Sequence, residues 1–440
     1  MFDRRLLSNF DWTLLLLTLA VSLVGVASIY SASKGYPGPQ QFWLKQLYWL
    51  GLGLGAGFLV LLVDFRGIGQ WSYLFHVAVL ISLAVLLYMG SRYSSVERWF
   101  MVGPIAIQPS EFAKLSTVLA LAYYLRDSRR VGDLGLREIV LPGLIMAVPF
   151  FLIVNQPDLG TALLLPALFV PIILMAGLRT RLWIYLALLF VLSIGLLVAS
   201  FSLGYYQVDP SLIKDLQRQG YPRQVVLRLE ELKDRRFYLP GDLHDALAAE
   251  PLLFKNRVLM ARLEETSFHP LISFLLRPYQ RRRLITFVNP DSDPLGSGYH
   301  VIQSRVAIGS GGLTGKGYGK STQGSLNFLP ARHTDFIFAI FAEEWGFLGA
   351  VGLMSLYGLL IARGYSIIFQ THDRFSAFVA VGVTSIFTLQ GLINVGMAVG
   401  LLPVVGVPLP LFSYGGSSMI TTLVGIAILL NIRMRRFLYV

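Results

Sequence analysis

Apolar residues dominate this chain in long blocks rather than in the short periodic stripes of a soluble fold. Runs long enough to cross a bilayer as helices, which takes about 20 mostly apolar residues, fall at 11–31, 43–63, 71–90, 110–126, 138–155, 160–177, 182–204, 335–362, 375–399 and 418–432. The pattern therefore predicts an all-α integral membrane protein with about ten transmembrane helices, seven in 1–204 and three in 335–440. An even number of spans puts both ends on one side. One large polar segment, 205–334, separates spans seven and eight. The first run follows Arg4 and Arg5 and ends near Ser31-Ala32-Ser33, in the manner of a secretory leader. It exceeds a leader's apolar core and more spans follow it, so an uncleaved first helix is expected.

Composition agrees: the 440 residues are 55% hydrophobic and only 14% charged, where soluble domains carry nearer ~25%. The chain has no cysteine, which excludes disulfides, thiolate nucleophiles and cysteine metal sites. Its six histidines show no zinc-like spacing. A net charge of +12 is read first as topology rather than as a nucleic-acid footprint. With both termini in the cytoplasm, inner segments hold fourteen Lys and Arg and short outer segments five; the other eighteen lie in 205–334. That segment then faces outward.

The outer segment divides by charge. Residues 205–276 balance ten basic against ten acidic residues, and Val225, Val226, Leu229 and Leu232 recur at helical spacing, as in a small helical insertion. Residues 277–334 carry eight basic residues against only Asp291 and Asp293, and are rich in Gly, Ser and Gln, as in a loop that binds something. Gly319-Lys320-Ser321 imitates a phosphate loop, but Thr314 stands where that pattern needs glycine, and no strand precedes it.

Ionisable residues inside spans are costly and mark functional candidates. Here they are Glu111 and Lys114, Asp158, Asp335, and Glu343 with Glu344. All but the last two fall near the outer ends of their helices. Glu111 and Lys114, three apart, also suit a simple ion pair, and Asp158 suits a helix cap. A carboxylate beside a cationic loop at the membrane surface fits group transfer from a phosphate-activated, lipid-carried donor. The carboxylate deprotonates an acceptor hydroxyl and the cations stabilise the departing pyrophosphate. Asp293 and Asp291 are both placed for the base.

Arg98-Trp99, QPSEFAK (108–114), NQPDLGTA (155–162), YQRRRL (279–284), DPLGSGYHVIQSRVAIGSGGLTGKG (293–317), FLPARHTDFIFAIFAEEWGFLG (328–349) and GLLPVVGVPLPLFSYGGSSM (400–419) resemble the SEDS family (shape, elongation, division and sporulation), and within it the RodA branch. The resemblance implies a peptidoglycan glycosyltransferase that polymerises lipid II on the outer face of the bacterial cytoplasmic membrane and releases undecaprenyl pyrophosphate. It also implies a complex with a class B penicillin-binding protein and other membrane proteins of the elongation machinery. It singles out Asp293, before Pro-x-Gly-x-Gly-Tyr, as the essential loop acid. By the same carry-over Arg98, Trp99, Glu111, Lys114, Gln303, Ser304, His333, Thr334 and Asp335 bind substrate, while loop cations such as Lys316 and Lys320 would hold pyrophosphate. No cofactor is evident beyond an optional divalent cation, Mg or Mn. About 70 residues, 205–276, depart from the family pattern. A lipid II flippase and a non-enzymatic scaffold for the transpeptidase are the rival readings.

Overall fold

The computed structural model describes residues 8–34, 41–92, 98–102, 105–126, 134–179, 297–325 and 331–436, with shorter pieces elsewhere, mostly between 181 and 296. The chain forms two compact units, Met1–Leu182 with Gln303–Val440, and Trp183–Ile302.

The first unit is a helical bundle: α1 (Trp12–Ser33), α2 (Phe42–Leu62), α3 (Phe65–Arg92), a small antiparallel hairpin β1 (Phe100–Val102) and β2 (Ile105–Ile107), α4 (Pro109–Arg126), α5 (Leu136–Asn155) and α6 (Leu159–Ala176). Among the described residues, eight of the helices in this protein are long and apolar enough to cross a membrane. Helix α4 has the length but carries Glu111, Lys114 and Arg126. The expected seventh span, 182–204, lies mostly outside the described residues, as do Asp291 and Asp293.

Within the second unit, β3 (Tyr205–Tyr206) pairs with β4 (Phe268–His269), and two short helices, α7 (Pro210–Arg218) and α8 (Arg223–Leu232), pack together. Val225, Val226, Leu229 and Leu232 form the buried stripe of α8, as their spacing requires.

The chain then continues through α9 (Ser297–Ser310), α10 (Thr322–Ser325), α11 (Ile337–Ile368), α12 (Arg374–Val399) and α13 (Gly416–Arg435). Helices α12 and α13 are the most enclosed of the candidate spans, so the bundle core runs along them. Of the four alternate glycines in α2, two carry the packing. A Cβ at Gly53 would stand 2.4 Å from Leu423 Cδ1 and one at Gly57 3.1 Å from Ala427 Cβ, whereas Gly51 and Gly55 face open space. Small residues four apart let α2 and α13 approach closely.

One end of the bundle is closed by charge. Asp11, 2% exposed, caps α1 by accepting from Leu14 N at 3.1 Å, and pairs with Arg363 at 3.1 Å and with Arg433. Asn431 Nδ2 donates to the carbonyls of Val60 and Val63 at 2.6 and 2.8 Å where α2 ends. These bonds tie the start of α1 to the ends of α2, α11 and α13. Asp11→Ala loses both the cap and the partner of two arginines and should cost about 2–4 kcal/mol. Asp11→Asn, which keeps a capping oxygen, should lose less. Thermal unfolding of the two variants in detergent checks the order.

Candidate active site

At the opposite end the helices are interrupted by turns, and the polar residues gather there. Two non-helical segments, 331–336 and 405–415, fold onto each other. Ser413 Oγ donates to Thr334 O at 2.7 Å, and Tyr414 N donates to His333 O at 2.9 Å. Asn394, fully buried on α12, donates from Nδ2 to Asp335 O at 2.9 Å and to Val407 O at 2.8 Å. Gln46, fully buried on α2, donates to Ser413 O at 3.0 Å and accepts from Gly415 N at 3.2 Å. Charges alone would never select Gln46, Asn394 or Ser413. Their signal is an amide or hydroxyl in an apolar run, a position where only an internal partner satisfies it.

Helix α6 begins beside this hub. A Cβ on Gly160 would lie 2.7 Å from Val405 O, and one on Gly406 would lie 3.6 Å from Asp335 Oδ2, so the two glycines bring α6, the 405–407 turn and Asp335 together. Asp158 caps α6 through Thr161 N at 3.3 Å and accepts from Gln108 Nε2 at 3.1 Å and Ser110 Oγ at 2.9 Å. It is thus a joint between α4 and α6 rather than a free carboxylate. Glu111 and Lys114, 4% and 2% exposed, pair at 2.8 Å one turn further down α4, with Thr421 Oγ1 of α13 at 3.5 Å from Glu111 Oε2. Arg98 and the exposed Trp99 precede the β1–β2 hairpin. That hairpin reaches α13 where Gln108 N donates to Ser417 Oγ at 2.9 Å, and Ser417 Oγ to Ala106 O at 3.3 Å. Ser304 donates to Ala398 O at 2.7 Å and Arg305 to Gly400 O at 2.8 Å, docking α9 on the end of α12; Gln303 beside them is half-buried.

The glycine-rich segment 311–325 is a strap wedged into a break in α11. Gly346 takes φ +66°, and the strap's backbone pairs with the broken helix: Lys316 N to Glu343 O and Gly317 N to Glu344 O, both 3.0 Å, and Phe347 N to Gly312 O at 2.8 Å. A Cβ at Gly315 would sit 2.1 Å from Glu344 O, so no larger residue fits. Glu343, fully buried, accepts from Lys316 Nζ at 2.6 Å, Thr322 Oγ1 at 2.6 Å, Thr322 N at 3.0 Å and Ser321 Oγ. Glu344 accepts from Ser31 Oγ, and buried Arg332 donates to Ala32 O at 2.7 Å, so the end of α1 is held as well. The two glutamates anchor the strap. Lys316 is engaged with Glu343, while Lys320 is exposed on the same strap.

A profile of the FtsW/RodA/SpoVE family, described as cell cycle proteins, matches residues 8–218 and 254–437. The chain belongs to this family. Within the 205–276 stretch expected to depart from the family pattern, the match lapses only between 218 and 254, so the departure is about half as long as expected. The peptidoglycan glycosyltransferase RodA of Treponema pallidum is 34% identical over 98% of this chain and 99% of its own. The peptidoglycan glycosyltransferase MrdB of Escherichia coli K12 is 32% identical over 97% and 94%. Among solved structures, a chain described under the structural coordination of polymerization and crosslinking by a peptidoglycan synthase complex superposes with a TM-score of 0.63. It is 29% identical and covers 97% of this chain and 98% of its own. The rod shape determining protein RodA of Thermus thermophilus superposes at 0.56, with 27% identity over 97% and 98%. Family membership and the apolar helices together make this a multi-pass membrane protein.

Two expectations follow from the geometry. Burial, and then the charge of neighbouring Arg332, push the pKa of His333 down to about 4. Its ring stacks on Phe42 with centroids 4.4 Å apart and lies 5.6 Å from Tyr414. Because the unfolded histidine takes up a proton near pH 6.5 and the folded one only near 4, its contribution to stability is complete above 6.5 and drains away as pH falls to 4. The gap in unfolding midpoint between wild type and His333→Gln should therefore shift against wild type across that window. At Glu343, substitution by Met alone strands Lys316 and the strap donors and should cost about 3–5 kcal/mol, much of it recovered in Glu343→Met/Lys316→Met. A double-mutant cycle on unfolding midpoints measures the coupling.

Proposed function

We propose that this protein is a RodA-type peptidoglycan glycosyltransferase that polymerises lipid II on the outer face of the bacterial cytoplasmic membrane. The observation that carries the reading is the end-to-end kinship with proteins named for that activity, at 32–34% identity over nearly the whole chain. The gathered polar end supports it, because carboxylates, cations and buried amides meet there at the mouth of an apolar bundle. The basic balance of the short loops supports an outward-facing site. The likeness to a chain of a peptidoglycan synthase complex supports a class B penicillin-binding protein as partner, alongside other elongation-complex membrane proteins.

In the proposed reaction the acceptor sugar's 4-hydroxyl attacks the anomeric carbon of the lipid-linked donor. The new C–O bond forms as the bond to pyrophosphate breaks, with inversion, and the electron pair leaves on undecaprenyl pyrophosphate. Asp293 takes the hydroxyl proton; a positioned base contributes roughly 10²–10⁴-fold. Fixed cations where negative charge develops contribute at least as much. Among the described residues Arg98 and the exposed Lys320 have no protein partner and suit that work, and the Glu111–Lys114 pair orients the approach. No three His, Asp or Glu gather into a metal site among the described residues, so no step is drawn through a divalent cation.

One observation favours a second reading. The break in α11 at Gly346, beside buried Glu343 and Glu344, is of the sort transporters build at substrate sites. Polymerisation of labelled lipid II by the purified full chain, with and without a class B penicillin-binding protein and with Mg, Mn or EDTA, separates the two. Glycan ladders are expected from wild type and Asp291→Ala, and a loss of at least about 10²-fold from folded Asp293→Ala. Ladders from Asp293→Ala would move the base elsewhere. No ladders under any condition, with lipid II crossing reconstituted vesicles, would make the protein a flippase.

A further inference from the structure

Far from the polar end, an apolar groove of about 300 Å³ runs between α1, α2 and α13. Its walls include Leu15 and Thr18 of α1, Leu54 and Phe58 of α2, and Ile426 and Leu430 of α13. Gly53 and Gly57 draw α2 closely onto α13, and α1 supplies the remaining wall of the groove. It does not touch the strap, the hub or the hairpin, and none of the residues proposed for the reaction lines it.

The mouth of the groove is cationic. Met434 and Leu61 line its end, and Arg435, next to Met434, donates from Nη2 to Leu61 O at 3.2 Å. That bond holds the guanidinium at the rim, against the last carbonyls of α2. Its partners there are neutral, so its charge is not cancelled by a carboxylate. Arg433 and Arg436 flank it in the chain, and the buried Asp11 at this end is already shared by Arg433 and Arg363. Trp12, 58% exposed, lines the same mouth, where an indole suits the level of lipid headgroups.

An apolar slot between spans, closed at one end by a fixed guanidinium and an interfacial tryptophan, is complementary to one class of amphiphile. We propose that the groove binds an anionic phospholipid of the leaflet on the side where α1 begins and α13 ends. Its acyl chain lies between α1, α2 and α13 and its phosphate rests on Arg435. Basic pockets between spanning helices recognise anionic headgroups in this way. The bound lipid fills the groove between the three helices, and so stiffens the end of the bundle that Asp11 closes. The proposal is independent of the glycosyltransferase reading.

The test uses the full chain in detergent, with phosphatidylglycerol and phosphatidylcholine of matched acyl chains added in competition. Native mass spectrometry reads the retained lipid, and thermal unfolding reads its effect. Wild type should retain phosphatidylglycerol over phosphatidylcholine by about fivefold, the preference one guanidinium near the surface supplies. Arg435→Gln should bring the ratio to near one while leaving total lipid retained. Arg435→Lys should keep most of the preference, and Leu15→Trp, which fills the slot, should lose both lipids. Equal retention of the two lipids by wild type, or an unchanged preference in Arg435→Gln, would overturn the proposal and leave ordinary annular lipid. A change of oligomeric state in Leu15→Trp without loss of lipid would also overturn it, pointing instead to a second copy of the chain on this face.

Discussion

Everything at the polar end depends on one constraint: backbone that is not helical can sit among spanning helices only if the protein itself satisfies its N–H and C=O groups. The 331–336 and 405–415 turns meet it with each other and with three side chains. Asn394 binds the carbonyls of Asp335 and Val407 together, and Ser413 takes the Thr334 carbonyl for its hydroxyl. Gln46 closes the far side of the second turn, and Tyr414 N meets His333 O. Removing any one of these leaves a buried polar group with nowhere to go, so the residues that hold the turns are as fixed as those that would touch substrate.

The strap shows the same constraint met differently. A break in α11 releases carbonyls at Glu343 and Glu344, and the strap's own N–H groups fill them. That exchange requires backbone against backbone, hence glycine at 311, 315 and 346, where any Cβ would lie within 2.3 Å of a main-chain atom. The buried Glu343 then becomes affordable because lysine, hydroxyl and amide donors all converge on it. The charge lies where a deep acid would otherwise suggest a transported proton or ion, but its partners are all on the strap it anchors.

Eight of the ten expected spans and the helix at 223–232 were legible in sequence, because each rests on composition or period. The hub was not. Gln46, Asn394 and Ser413 are uncharged and their partners lie tens to hundreds of residues away, so no local pattern announces them. Lys316 illustrates a different gap. Its place in a basic, glycine-rich loop reads as anion binding, and only the return of α11 brings Glu343 within 2.6 Å of it. Asp158 fits both of its sequence readings, a cap and a member of the polar cluster, since capping is what holds it at the junction of α4 and α6.

Under the proposed reaction, these partnerships decide which cations remain to meet a departing pyrophosphate. Lys114 is neutralised by Glu111 and Lys316 by Glu343, while Arg305 and Arg332 are bound to carbonyls at Gly400 and Ala32. A lysine already paired at 2.8 Å gives a new anion little without breaking that pair, since both partners are buried and neither has water to fall back on. The structural cations therefore hold the frame. In the proposed reaction, charge stabilisation of the leaving group falls instead to cations outside these pairs, of which Arg98 and Lys320 are the described examples. In the proposed reaction, separating the cations that build the site from those that serve the chemistry would keep the frame rigid as substrate charge comes and goes.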